Sequence, residues 1–325
     1  MYDIITVGSA TVDVFVDTDS ELIKIKSKKE EEELIAYPAG TKQLIKELTF
    51  LTGGGGTNTS VAFSRLGHKT GYIGKLGDDS NGSTILELLK KEGIDYLGII
   101  SKEDMTAYSI ILDSIDHDRT IFTYKGAINS LRFNELNLKK LKTKWFYFSS
   151  MVDESFKVLE ELSDFAKNNN IKIAFNPSSY LAEKGSKYLK NVLERTNILV
   201  LNKEEAKLIV GCGSEKDLLW KLHDLGPEIV VVTDGKNGCY CFDGKSFYYI
   251  ATHKIKVVES TGAGDAFASG FLSGIIKKND TKFALELGLA NAESVISGRG
   301  AKTNLLTYNE AIEIMKKTPA KISKL

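Results

Sequence analysis

Cysteine is scarce in this chain: three residues in 325, Cys212, Cys239 and Cys241. An odd, sparse set does not build a disulfide scaffold and suits a reducing compartment, so a cytoplasmic protein is expected. Cys239 and Cys241 alternate in a β-like run and share one sheet face, as small core residues do. Histidine is scarce too: His68, His117, His223 and His253 form no ligand pair at helix or strand spacing. Neither sign of charge is in excess, since Lys+Arg and Asp+Glu are both 43. A nucleic-acid or membrane-surface protein normally shows a basic excess or a basic face, so a small-molecule ligand is expected instead. No apolar run approaches the ~20 residues of a membrane helix. The N-terminus enters an apolar strand at once, without the charged and apolar regions of a signal peptide. Two nucleotide motifs are missing. No Gly-x-x-x-x-Gly-Lys-Ser/Thr occurs, which excludes a P-loop enzyme. The dinucleotide fingerprint is incomplete, which disfavours an NAD-dependent oxidoreductase.

What is present is an alternation. The hydrophobic fraction of 42% and charged fraction of 26% are those of a soluble globular chain. Strands are expected over 4–7, 70–73, 145–148, 171–175, 198–201 and 229–233. Helices are expected over 59–66, 83–91, 156–167, 203–210, 265–277 and 285–296. Short apolar strands between amphipathic helices predict an α/β fold: three layers, α/β/α, on a mostly parallel central sheet. Two β-rich pieces break the rhythm. Segment 15–51 offers strands at 33–35, 43–45 and 48–51 and a turn at Tyr37-Pro38-Ala39-Gly40, beside a solvated charge run. Segment 108–124 offers strands at 108–112 and 120–124. Together they predict a small projecting sheet, a lid on a single domain spanning 1–325.

The most informative stretch is Glu259-Ser260-Thr261-Gly262-Ala263-Gly264-Asp265-Ala266-Phe267. A β-like run at 254–258 precedes it, and Phe267, Phe271 and Ile275 follow at helical spacing. The glycine turn therefore opens a helix, where free N–H groups and the dipole favour an anion. Gly262 and Gly264 allow close approach of a phosphate. Asp265 beside them can take a proton from an attacking alcohol, or it can simply cap the helix.

Thr261-Gly262-Ala263-Gly264-Asp265-Ala266-Phe267, followed by Ala268-Ser269-Gly270-Phe271, closely resembles the C-terminal signature of the ribokinase (PfkB) carbohydrate kinase family. Gly53-Gly54-Gly55-Gly56-Thr57-Asn58, Ala62 and Arg65-Leu66-Gly67 resemble its N-terminal signature. Gly74-Lys75-Leu76-Gly77-Asp78-Asp79 follows in family order, and the resemblance spans essentially the whole chain. It implies an ATP-dependent kinase of a sugar or sugar acid, with a ribokinase-like fold. Asp265 would be the base, and the amides of Gly262, Ala263 and Gly264 the anion hole. Asp13, Gly54, Gly55 and Asn58 would line the acceptor pocket, although Asn58 also reads as a cap for a helix over 59–66. Asn202 and Glu205 match the family's Asn-x-x-Glu, tied to Mg2+ and phosphate through water; the same spacing fits a capping box. Thr233, Gly235, Gly238 and Thr261 would shape the nucleotide site, with Asp234 turned away. Asn291 and Gly300-Ala301 would border the adenine.

Two departures matter. Family members activated by K+ carry an Asp six residues before the base; here it is Glu259, and K+ dependence stays open. Ribokinases proper carry a Glu after the strand at 145–148; here Ser149-Ser150-Met151 follows, so ribokinase itself is not expected. Tyr37 and Tyr108 are aromatic candidates for covering a ring, or core residues. A nucleoside kinase of the same fold and a catalytically silent ligand-binding protein remain as alternatives, the latter disfavoured by the retained Asp265. A homodimer formed through the lid is the partner the resemblance suggests.

Overall fold

The computed structural model describes residues 1–17, 21–26, 31–113 and 119–324. Among them the main sheet has ten strands. From one edge the order is Asp95–Tyr96, Thr70–Ile73, Tyr2–Val7, Thr143–Phe148, Lys172–Phe175, Ile198–Asn202 and Ile229–Thr233, all parallel. Cys239–Phe242, Phe247–Ile250 and Ile322–Lys324 then continue it antiparallel.

The strands are apolar on consecutive residues because both faces are covered, and successive side chains go to opposite layers. Ile5, Val7, Phe146, Phe148, Ile173 and Leu199 enter one core with Leu159 and Leu162 of helix Phe156–Asn168. Ile4, Trp145, Tyr147, Ala174 and Val231 enter the other with Phe267, Phe271 and Leu285. Cys239 and Cys241 both fall in this second core, where burial pushes their thiols up. The expected three layers are therefore present.

Helix boundaries depart from the apolar periodicity in one direction. Helices run Gly55–Arg65, Ser80–Lys91, Ala263–Lys278 and Thr281–Val295, each starting earlier than the first apolar residue suggests. Their opening turns are polar or glycine-rich, and two of them carry side-chain caps. Asp79 accepts from the Gly82 amide (2.7 Å) and Asp280 from the Phe283 amide (2.7 Å). Residues 254–258, expected as β-like, are not a strand. Their alternation meets no partner strand, and Ile255, Val257 and Val258 are exposed.

A second sheet projects from the first. Its order is Arg119–Tyr124, Ala107–Asp113, Thr11–Asp17, Glu47–Gly53. Glu21–Lys26 and Glu31–Ala36 pair as a separate antiparallel hairpin. The strand expected at 48–51 lies within Glu47–Gly53, whereas 43–45 is irregular. The turn between the strands of 108–124 falls largely outside the described residues. No helix among the described residues is long and apolar enough to cross a membrane.

Helices Ala263–Lys278 and Thr281–Val295 pack almost backbone to backbone. A Cβ on Gly270 would sit 2.7 Å from the Leu287 carbonyl oxygen, and one on Gly274 would sit 2.4 Å from the Ala284 Cα. The gain in helix propensity from replacing glycine is at most about 1 kcal/mol, and it cannot offset forcing two backbones apart. Gly274→Val is therefore expected to lower stability by about 1–3 kcal/mol. A urea-unfolding midpoint equal to that of wild type would contradict this packing.

Candidate active site

The cleft lies beyond the C-terminal ends of the parallel strands, where open α/β sheets place ligands. Val7 and Phe148 end adjacent strands in register, as do Asn202 and Thr233. The chain leaves these ends under backbone control: the Ser149 amide bonds to the Val7 carbonyl and the Asn176 amide to the Phe148 carbonyl, both at 2.9 Å.

The glycine turn stands where expected. Gly262 has φ 82° and caps helix Ala263–Lys278, and a Cβ there would meet Ala301 at 2.5 Å. Gly264 is different: a Cβ there meets nothing within 4 Å, so its side of the turn is open. The Ala263 amide, expected as part of an anion hole, already bonds to the Ser260 carbonyl at 3.2 Å. The Gly264 amide, in the first turn, has no carbonyl four residues back within the helix.

Asp265 sits in the first turn, enclosed by protein yet partly open to the cleft. Burial pushes its carboxyl from 3.8 up to about 6. The Asn58 hydrogen bond and the Lys302 charge pull it back down, while Glu205 adds to the rise. Such a group is ionised at neutral pH but close enough to pH 7 to exchange a proton. A Cβ on Gly55 would lie 3.6 Å from Asp265 Oδ1, so the first glycine-rich segment meets the second here.

Asn58 is not the cap that its sequence position also allowed. The helix starts at Gly55, and Asn58 Nδ2 donates to Asp265 Oδ2 at 2.8 Å. Gly54, with φ 89°, passes so close to Ser9 that a Cβ would be 2.6 Å from its carbonyl oxygen. Asp13, on strand Thr11–Asp17, accepts from Thr11 Oγ1 at 2.9 Å and packs against Gly53. Asp13, Gly54, Gly55, Asn58 and Asp265 thus converge from three segments.

Asn202 and Glu205 form a full capping box. Asn202 Oδ1 accepts from the Glu205 amide (2.8 Å) and Glu205 Oε2 accepts from the Asn202 amide (2.9 Å). Glu205 is nonetheless buried, which raises its pKa beyond what these hydrogen bonds offset. Thr233 lies beside Asn202, followed by Gly235 and Gly238 at positive φ. Asp234 is turned aside into an ion pair with Lys203 at 2.9 Å. Thr261 is exposed in the turn before the helix. Asn291 does not reach an open surface. It is wholly buried, donating to the Ala266 carbonyl (2.9 Å) and accepting from the Leu306 amide (3.1 Å). Glu259 is buried as well and accepts from the Gly300 amide at 3.0 Å. Among the described residues no three His, Cys, Asp or Glu side chains gather as a metal cluster. Tyr108 packs against core side chains, and Tyr37 stays partly exposed.

Lys302, Lys125, Asn129 and Tyr180 had no signal in the sequence. Lys302 is buried, and its ammonium donates to Asn58 Oδ1 (2.6 Å) and to the Thr52 carbonyl (2.7 Å). A cavity of about 230 Å³ is lined by Asp265, Gly55, Ser149, Ser150, Asn129, Lys125 and Tyr180. Ser149 Oγ, Ser150 Oγ and Asn129 Oδ1 are buried there without hydrogen-bond partners. Unpaired buried polar atoms are costly unless a ligand or water completes them.

Residues 6–307 match the family described as pfkB family carbohydrate kinase. The chain is 30% identical over 248 residues to an ATP-dependent 6-phosphofructokinase of Thermoanaerobacterium thermosaccharolyticum, covering 73% of this chain and 76% of that one. It is 29% identical over 301 residues to a 5-dehydro-2-deoxygluconokinase of Clostridium botulinum, covering 85% and 87%. Among solved structures, the nucleoside kinase of Methanocaldococcus jannaschii, described as an archaeal member of the ribokinase family, matches with a TM-score of 0.79 at 25% identity. That match covers 97% of this chain and 98% of the other.

Proposed function

This chain belongs to the pfkB family of carbohydrate kinases, and from that premise we propose that it moves the γ-phosphate of ATP to a hydroxyl of a sugar or sugar acid, with Asp265 as base. The observation that carries the reading is the position of Asp265 at the junction of both glycine-rich segments, with its carboxyl pushed up to about 6. The acceptor hydroxyl gives its proton to Asp265 as its oxygen bonds to the γ-phosphorus. The bond from that phosphorus to the β,γ-bridging oxygen breaks, and ADP leaves. The open Gly264 amide and the helix dipole face the charge that spreads over the phosphoryl oxygens. A Mg2+ ion bound with the triphosphate would supply charge neutralisation to it. Glu205 fits a role beside it through water, because a buried carboxylate bonded to Asn202 gains from a nearby cation. The assay below, run with and without K+, reads any monovalent-ion dependence.

The acceptor cavity has an uneven charge. Asp265 stands in one part, and Lys125, with Nζ 4.0 Å from the centre of the Tyr180 ring, is its cationic lining residue. Serine and asparagine side chains also line it, and the aromatic lining is Tyr180. This favours a polyhydroxylated acceptor with an acidic group over a nucleoside, whose base needs stacking surface. The second sheet borders the site through Thr52 and Leu51, so it is read as a lid on one kinase domain. Its outer face exposes Leu48, Phe50, Ile110, Phe122 and Tyr124, and a second copy of the chain is the partner proposed to cover them.

Asp265→Asn is expected to lower kcat at least ~100-fold. For wild type, kcat/KM is expected to fall tenfold per pH unit below about 6 and to level off above it. The linkage to stability has the opposite sign. Folding raises this carboxyl above 3.8, so its ionisation costs stability progressively between 3.8 and about 6, and fully above. The variant should therefore unfold no earlier than wild type at pH 7. Near-normal turnover would remove Asp265 from its role. Lys125→Ala should raise KM for an acidic acceptor ~10-fold or more, as loss of a charge-assisted hydrogen bond does, and leave a neutral acceptor almost unchanged. Equal effects on both would contradict the charge reading. Sedimentation velocity should show a dimer that Phe122→Glu dissociates; a monomer at every concentration would count against the lid interface.

A further inference from the structure

We infer that Lys302 is a positioning residue that fixes which end of the Asn58 amide faces Asp265. The inference rests on reading Asp265 as the catalytic base only for its kinetic arm. An asparagine side chain can present either its oxygen or its NH2 to a neighbour, and the two ends are nearly the same shape. Presented with NH2, Asn58 stabilises an ionised Asp265. Presented with oxygen, it places a lone pair against a carboxylate, which favours the protonated acid and disables a base.

Lysine removes the ambiguity because its ammonium only donates. Lys302 Nζ lies 2.6 Å from the Asn58 side chain, so the atom it meets is Oδ1. The opposite end, Nδ2, is then the one 2.8 Å from Asp265 Oδ2. Lys302 is itself held. Its Nζ also bonds to the Thr52 carbonyl at 2.7 Å, and its own carbonyl accepts from Arg65 at 3.1 Å. Arg65 in turn grips Glu92 through two hydrogen bonds, of 3.0 and 2.7 Å. Glu259 anchors the same turn through the Gly300 amide, which gives this buried acid a structural task.

The surrounding charges are consistent with that task. Burial lowers the Lys302 ammonium to about 7, while Asp13, Asp265 and Glu92 oppose the fall and Arg65 adds to it. Around Asp265 the charged neighbours are Lys302 and Glu205, acting in opposite directions. A lysine that loses its proton near pH 7 keeps two N–H bonds, enough for Asn58 Oδ1 and the Thr52 carbonyl. The orientation of Asn58 therefore survives deprotonation of Lys302.

The test compares Lys302→Met, which has no donor, with Lys302→Gln, which keeps an N–H for Asn58 without the charge. Asp265 is followed in the ligand-free protein by carbon NMR of its carboxyl, assigned by the signal missing in Asp265→Asn. This readout needs no turnover, so its failure is separable from failure of the kinase reading. Lys302→Met is expected to raise the titration midpoint of Asp265 by at least ~0.5 pH unit, and Lys302→Gln by less. In the kinetic arm the acidic limb of kcat/KM moves by the same amount in Lys302→Met, and the rate recovers toward wild type at pH 8. Should Lys302→Met fail to fold, Lys302→Leu, which also has no donor, takes its place against Lys302→Gln with the same outcomes. An unchanged midpoint, a rate lost equally at every pH, or equal shifts in both variants would overturn the orienting role.

Discussion

A carboxyl group taken partly out of water is the constraint from which the rest of this site follows. Burial alone pushes the Asp265 carboxyl above the usual carboxylate range. Burial is partly opposed, by one amide hydrogen bond from Asn58 and one nearby ammonium, Lys302. The balance leaves the group near 6, ionised at neutral pH yet still able to hold a proton during reaction. Both opposing groups come from distant parts of the chain, so the protonation state of Asp265 depends on the tertiary fold being intact.

That dependence explains why the packing around the helix Ala263–Lys278 is so close. Its far end is fixed against Thr281–Val295 at Gly270 and Gly274, with no room for a methyl group. Its start is fixed by Gly262 against Ala301, one residue from Lys302. Interiors packed at this density do not drift. The first glycine-rich segment is held in the same way, with Gly54 against Ser9 and Gly55 facing Asp265. Rigid positioning of this kind is what a phosphoryl transfer asks of a protein, since the reacting groups bring most of the chemistry themselves.

Much of this was legible in the sequence, for physical reasons that can be named. The parallel strands showed because burial on both faces makes them apolar without interruption, as in Ile229–Thr233. The glycine turn showed because positive φ at Gly262 and the opening of a helix demand particular residues. Helix starts were legible only to within a turn. First turns such as Ser80-Asn81-Gly82 carry no apolar side chain, so the apolar period begins late. The alternating run at 254–258 misled because alternation describes a side-chain pattern, and a strand also needs a neighbour to bond with. Asn291 carried no sign that both ends of its amide were engaged inside the protein. Lys302 and Lys125 were invisible for another reason. Each is a lone lysine in a loop, and what makes it notable is contact with residues far away in sequence, Asn58 or Tyr180. No local period or motif encodes such a contact.

The central claim is that this site transfers phosphate to an acceptor hydroxyl, and the most direct measurement is ADP release from ATP and Mg2+ against a panel of pentoses, hexoses, sugar acids, sugar phosphates and nucleosides. The account predicts turnover that depends on the acceptor, strongest among acidic sugars, with phosphate recovered on an acceptor oxygen. Binding of ATP without acceptor-dependent ADP release anywhere in the panel would contradict it.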